Sequence, residues 1–356
     1  MRAGARSPRL LDWKAALGIG LSLALLYFAL RGVDAAAVLE QLRLADPFLF
    51  LGSIFLATAV FLVRAWRWRL LLQPIAATAL RPRFAATTIG YMATNLLPAR
   101  MGEFARAYAL SRMQPVSMVA SFGSLVVERL FDGFTVVAFL FLAMALPAFP
   151  GGGAVGGRNL EAAAAVVTVV FGSVGVVLVA MVLWPRRLVR LVESAVRLLP
   201  RPLRRPLVDV LEAFLDGLAV LRQPRLLVYS ALWSAAVWLV GAAAYWLAFL
   251  AFGLPVGFTG ALFLQSLIAL AVALPSAPGF FGIYEAGVRV GLVEIWGVEL
   301  NPALSFAIGF HIGGFIPVTA IGLYYLWRLG LSLREVERSE ALVEEAVEAE
   351  HPETAG

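Results

Sequence analysis

The residues with chemical potential are charged side chains set inside or beside long apolar runs. Were those runs in lipid, each charge would cost a few kcal/mol unless paired or hydrated. Three groups stand out. In NLLPARMGEFARAYAL (95–110), Glu103 and Arg106 are spaced i,i+3 and can pair on one helix face. Arg100 precedes Gly102, near a helix N-terminus expected after Pro98, and such a terminus beside arginines suits an anion. The plainer alternative is an interfacial loop with snorkelling arginines. In VVERLFDGF (126–134), Glu128 and Asp132 stand i,i+4, with Arg129 three residues before Asp132. This is a polar wall or an ion-pair network, or else an ordinary charged helix end. An acid/base pair would need a nucleophile or metal motif, and none accompanies it. In PSAPGFFGIYEAGVR (275–289), prolines and glycines free backbone groups that must be satisfied by protein or water. Glu285 follows that break, with Arg289 one turn on; the alternative is a hinge with a solvated glutamate.

The elements that must position these groups are helices. Of 356 residues, 61% are hydrophobic and 15% charged, against about 45–50% and about 25% in soluble domains. The apolar residues form blocks such as 15–30, 162–184 and 226–252, close to the ~20 residues that cross a bilayer core. Backbone groups in lipid need internal partners, so the blocks are helical. The chain has no cysteine and two histidines, His311 and His351, which argues against thiolate chemistry and a multi-histidine metal site. His311 reads as a packing histidine rather than a proton relay. The first block follows a basic stretch but lacks a convincing cleavage site, so it is expected to be retained.

Basic loops stay on the cytoplasmic side. The N-terminus and the region after the second block (48–63) are basic, and the tryptophans and Arg64, Arg67 and Arg69 of RAWRWR are expected to mark the cytoplasmic boundary, within reach of anionic lipid. The loops 31–47 and 147–157 read as external. The segment 185–225 carries an arginine excess and helical periodicity, as an amphipathic stretch on the membrane surface would. The piece 84–98 lies between two cytoplasmic-looking regions, is short, and is broken by Asn95 and Pro98, so a re-entrant helix is expected. A second broken run spans 267–292. Two breaks at matching places in halves of opposite topology point to an inverted repeat with a transport site between.

Taken in order, three elements resemble the lysylphosphatidylglycerol synthetase transmembrane-domain (flippase-like domain) family. They are N-x-x-P-x-R-x-G-E-x-x-R (Asn95, Pro98, Arg100, Gly102, Glu103, Arg106), E-R-x-x-D (Glu128, Arg129, Asp132) and P-x-x-P-G-x-x-G-x-x-E (Pro275, Pro278, Gly279, Gly282, Glu285). The resemblance runs from the first block to about residue 330. It implies a polytopic all-α membrane bundle of about eight helices, with a role in moving or handling lipids. Members include the flippase half of aminoacyl-phosphatidylglycerol synthetases and proteins tied to hopanoid or polyprenyl-linked glycolipid export. The soluble aminoacyl-transferase domain is not expected. The family usually reads Pro-Gly-Gly at its late element, whereas Phe280 follows Gly279 here, so that loop is expected to be stiffer or more apolar.

The expected organisation is a transmembrane domain over 1–330 and an acidic cytoplasmic tail over 331–356, frayed or disordered, with both termini inside the cytoplasmic membrane. The expected function is a lipid flippase or transporter. Arg100, Arg106 and Arg129 would engage a headgroup phosphate; Glu103, Glu128, Asp132 and Glu285 would balance them, with Asn95 and Tyr284 beside them. Pro98, Gly102, Pro275, Pro278, Gly279 and Gly282 would be the hinges. The ligand would be an anionic phospholipid or a polyprenyl- or hopanoid-type lipid, with no nucleic acid, metal or cofactor; a partner enzyme would supply the lipid. No G-x-x-x-x-G-K-[ST] occurs. The rivals are a membrane-embedded transferase on a lipid-linked substrate, which needs a metal-binding carboxylate motif, and a non-catalytic scaffold.

Overall fold

The computed structural model describes residues 9–97, 101–150, 223–273, 276–339 and 342, and these are helical with no strand among them. The 185–222 part of the amphipathic segment, Pro98, Arg100, Pro275 and nearly all of the tail beyond 339 lie outside the described residues. Helix α1 (Arg9–Leu30) turns by 80° into the short α2 (Ala35–Leu44), so the 31–47 connection carries a helix of its own. Asp34 caps α2 and Asp46 caps α3 (Pro47–Leu72), each accepting from two backbone amides. Pro47 at the first helical position costs α3 no hydrogen bond.

Among the described residues three helices are long and apolar enough to cross a membrane, α3, α7 (Pro224–Ala251) and α10 (Leu300–Arg328), and the bent α1–α2 pair makes a fourth if it counts as one span. Helix α6 (Met118–Ala145) is as long, at 28 residues, but carries Glu128, Arg129 and Asp132. Helices α3 and α7 lie antiparallel, as Gly52 faces Leu247 and Trp66 stacks on Trp233 at 6.2 Å. α3 does not stop at its arginines; it runs on through Leu72.

The two broken runs fold as helical hairpins. In the first, α4 (Leu80–Leu96) returns as α5 (Gly102–Met113). Gly90 and Gly102 face each other so closely that a Cβ on either would lie 2.6 Å from the other's carbonyl oxygen. In the second, α8 (Phe258–Ala271) turns through a 3-10 segment (Pro278–Phe280). It returns as α9 (Ile283–Val288), continued by a π-helical stretch (Arg289–Ile295). Here Gly287 faces Ile268, and Gly291 faces Leu264 and Leu267.

Both hairpins pack on α10, from opposite ends. Phe84 meets Tyr325 at 6.1 Å, Gly322 sits against Met92 and Thr88, and Asn95 Nδ2 donates to Thr319 Oγ1 at 2.9 Å. From the other end, Trp296 and Val298 lead directly into α10, and the turn at Gly279 reaches His311 and Phe315. The two tips therefore meet beside residues 311–319, near the middle of a 29-residue helix, with Pro317 between the two attachments.

The second tip is held in left-handed backbone at Gly279 (φ 70°), Phe280 (φ 63°) and Gly282 (φ 88°). Phe280 is the one non-glycine with positive φ among the described residues. Position 280 is where the resembled family usually has glycine, and the backbone here is the one glycine adopts without cost. The start of the tail is ordered: α11 (Leu333–Glu337) is closed by a Ser332/Glu335 capping box and buries Val336 against α5. That differs from a tail frayed throughout, because the cap and one apolar anchor suffice for a single turn.

Gly102→Ala and Gly282→Ala should each cost about 2 kcal/mol or more, since the new methyl meets backbone oxygen and, at 282, φ is positive as well. Gly314→Ala has nothing within 4 Å and should be neutral or stabilising by about 0.5–1 kcal/mol. Thermal unfolding in detergent checks all three.

Candidate functional site

Glu128 and Asp132 project from one face of α6 into a buried cluster of guanidinium groups. Arg106 of α5 grips Glu128 with two parallel bonds, Nη1–Oε1 at 2.6 Å and Nη2–Oε2 at 3.1 Å. Arg67 of α3 bridges both carboxylates, reaching Glu128 at 3.1 Å and Asp132 at 2.5 Å, and also donates to Ser234 of α7 at 2.8 Å. Arg64 binds Asp132 at 2.7 Å, and Trp238 Nε1 donates to the same carboxylate at 3.1 Å. Arg106 lies 4.1 Å over the Trp68 ring, whose Nε1 donates to Ser124. Glu128, Arg67 and Trp68 are fully buried.

This corrects the reading of RAWRWR. Arg64, Arg67 and Trp68 do not face outward to lipid or water; they face inward, because two buried carboxylates on α6 need compensating charge. Only Arg69 and Trp66 of that run stay exposed. The expected Glu103–Arg106 pair also does not form. Arg106 turns to Glu128, while Glu103 pairs with Arg129 of α6 at 2.8 Å. Arg129 lies 3.6 Å from Asp132 and 3.5 Å from the Tyr91 hydroxyl. Its side chain is 41% exposed and that of Glu103 31%, so this pair is the wet edge of the network. Among the described members, four arginines meet three carboxylates, leaving one guanidinium in excess.

Beside that edge opens a cavity of about 650 Å³ between the two hairpin tips, α6 and α7. Arg64, Tyr91, Glu103, Arg129, Asp132 and Trp238 form its polar side. Val136, Ile268, Leu270, Val272 and Phe280 are among its apolar walls, and Gln265 reaches it from α8. Gln265 Nε2 donates to the Trp238 carbonyl, which fixes the amide from behind. A largely apolar recess with a few convergent polar groups is the usual form of a small-ligand site.

Of the residues expected at the site, Glu103, Arg129 and Asp132 line this cavity. Arg106 and Glu128 lie behind it as its framework. Asn95 ties α4 to α10. Tyr284 and Glu285 are buried at the second tip, where Glu285 bonds His311 at 2.7 Å instead of facing Arg289 or solvent. Arg289 is spent on the end of α1, donating to the Phe28, Ala29 and Arg31 carbonyls. Tyr91, Trp238 and Gln265 are not among the expected site residues, and Arg64 and Arg67 are expected only at the boundary, within reach of anionic lipid. The usable signals were an i,i+3 arginine pair with apolar residues on both sides, and one glutamine in the apolar FTGALFLQSLIALA. Among the described residues no group of three or more His, Cys, Asp or Glu is arranged to hold a metal ion.

The family model described as "Lysylphosphatidylglycerol synthase TM region" matches residues 15–322. The chain is 26% identical over 326 residues to a UPF0104 membrane protein of Methanothermobacter thermautotrophicus, covering 87% of this chain and 91% of that one. It is 27% identical over 317 residues to the glycosyltransferase AglD of Haloferax volcanii, covering 82% of this chain but only about half (51%) of that relative. No solved structure matches it.

Removing one partner from a buried ion cluster costs more than removing a balanced pair. Glu128→Leu strands Arg67 and Arg106 and should destabilise by about 3–5 kcal/mol. The double substitution Glu128→Leu/Arg106→Leu should cost less than Glu128→Leu alone, which a double-substitution cycle in chemical denaturant would read directly.

Proposed function

The chain belongs to the lysylphosphatidylglycerol synthase transmembrane-region family, and from that premise we propose that it is a flippase or transporter for an anionic lipid headgroup. The cavity carries this reading. It lies where two opposed hairpins meet, is apolar over most of its wall, and presents the exposed Arg129 guanidinium and Arg64 on one side. Fixed arginines suit a phosphate, which takes the planar guanidinium fork bidentately. The surplus positive charge of the cluster favours an anion over a zwitterion. Arg106 acts here as support, holding the α6 carboxylates so that Arg64 and Arg129 keep their positions. Interrupted helices from opposite sides around a central site are also the architecture by which alternating access is achieved.

The setting we propose is the cytoplasmic membrane, with both termini on the cytoplasmic side and an enzyme partner supplying the lipid. The relative named a glycosyltransferase supports a lipid-linked sugar as the alternative cargo, and it supports an enzyme that makes such a lipid as the partner. A transferase reading remains distinct from this: purified protein would then turn over a lipid-linked donor by itself.

In proteoliposomes with a fluorescent headgroup reporter, Arg129→Ala should slow translocation of an anionic lipid at least tenfold and a zwitterionic one far less. Its thermal stability should change by less than about 1 kcal/mol, because the pair it leaves is partly exposed. Equal rates for Arg129→Ala and the parent, or no preference between the two lipids, would overturn the reading.

A further inference from the structure

At the tip of the second hairpin, His311 of α10 is bonded through both ring nitrogens to hydrogen-bond acceptors. Nδ1 lies 2.7 Å from Glu285 Oε1, and Nε2 lies 2.9 Å from the Gly279 carbonyl oxygen. The other oxygen of Glu285 accepts the Gly282 amide at 2.6 Å. The Phe281 and Tyr284 rings cover the imidazole at 4.8 and 4.2 Å, and only 4% of the Glu285 side chain and 10% of the His311 side chain are exposed.

A neutral imidazole has one donor and one acceptor nitrogen. Beside an ionised Glu285 it can satisfy one of these two contacts and must set lone pair against lone pair at the other. Both contacts are made only when the pair holds one more proton, either on the ring or on Glu285 with the ring donating through Nε2. We propose that Glu285 and His311 form a proton-binding site that latches the tip of the second hairpin to α10, and that loss of the proton releases it. The carbonyl given up is that of Gly279, in the left-handed turn whose neighbour Phe280 walls the cavity. The ligand of this site is the proton. On the function proposed above, it makes protons the source of drive for opening one side of the cavity.

Few ionisable groups face this pair. Between Leu300 and Leu323, α10 has no ionisable side chain besides His311, and α8 has none. On α9 the other ionisable group is Tyr284, which faces Tyr245 of α7. From α1 the contacts are Ser22, whose hydroxyl accepts the Ala277 amide at 2.7 Å and whose carbonyl faces Gly282, and the C-terminal carbonyls held by Arg289. Helix α4 touches the turn and carries Tyr91. The charges of the ion cluster, Arg64, Glu103, Arg129 and Asp132, lie around the cavity that Phe280 walls.

Two measurements test this. With only two histidines in the chain, His351→Gln leaves His311 as the single imidazole, and ¹⁵N-histidine NMR of the full chain in micelles reads its two nitrogens. The expected result is Nε2 protonated at low pH, with the pair giving up one proton as the pH is raised. A ring with unprotonated Nε2 at low pH overturns the proposal. In this cysteine-free chain, a nitroxide on Ser276→Cys reports tip mobility. It should become mobile with rising pH in the parent and stay immobile at every pH in Glu285→Gln. That amide can accept from Gly282 and donate to Nδ1, as the protonated pair does. A tip equally pH-dependent in Glu285→Gln and the parent overturns the latch. Neither readout needs lipid movement, so a responsive latch in protein that moves no lipid supports this site while counting against the transport reading.

Discussion

Glu128 and Asp132 stand one turn apart on α6, and neither can stay ionised in an apolar bundle without cations brought to it. The cations come from two other helices, Arg64 and Arg67 from α3 and Arg106 from α5, while α7 adds Ser234 and Trp238. Four helices are thereby fixed around one point by groups whose geometry is narrow. Arg106 reaches Glu128 with both nitrogens while its guanidinium sits 4.1 Å over the Trp68 ring. The first hairpin takes its place from this: α5 cannot slide along α4 without breaking that fork, and Gly90 and Gly102 let it lie close enough to make it.

The cluster has two layers with different physical character. The inner one, Arg67, Arg106 and Glu128, is dry, so its attractions are strong and its members cannot be exchanged with water or ligand without a large cost. The outer one, Glu103 and Arg129, is wet at the cavity, where a pair is weak and a competing anion can take the guanidinium. The inner layer sets positions and the outer one has charge to offer. That division follows from burial alone, since the residue types are the same in both.

Much of this fold is legible in the residues. The apolar blocks declare membrane helices, and Pro98, Gly102, Pro278 and Gly279 declare where two of them break. The i,i+4 carboxylates on α6 declare a polar face. The identity of their partners is less accessible, because arginine near the end of an apolar run has two opposite uses. It can snorkel to a surface, or it can turn inward to a carboxylate more than sixty positions away. Local spacing favours Glu103 with Arg106, and it favours Arg64 and Arg67 at an interface. What decides otherwise is the fully buried Glu128, whose need is set by α3, α5 and α6 together. The cavity is hidden for a similar reason: Gln265, Tyr91 and Trp238 come from three helices, and nothing in the sequence brings them side by side.

Helix α10 touches both hairpin tips, through Thr319 to Asn95 and through His311 to Glu285 and Gly279. Those attachments lie on either side of Pro317, which has no amide proton to give to the carbonyl four residues earlier. The rod joining the two tips is thus missing a rung between its two loads. On the transport function proposed above, a bend at that place would move both attachments at once, so the two tips that border the cavity would be coupled through one helix.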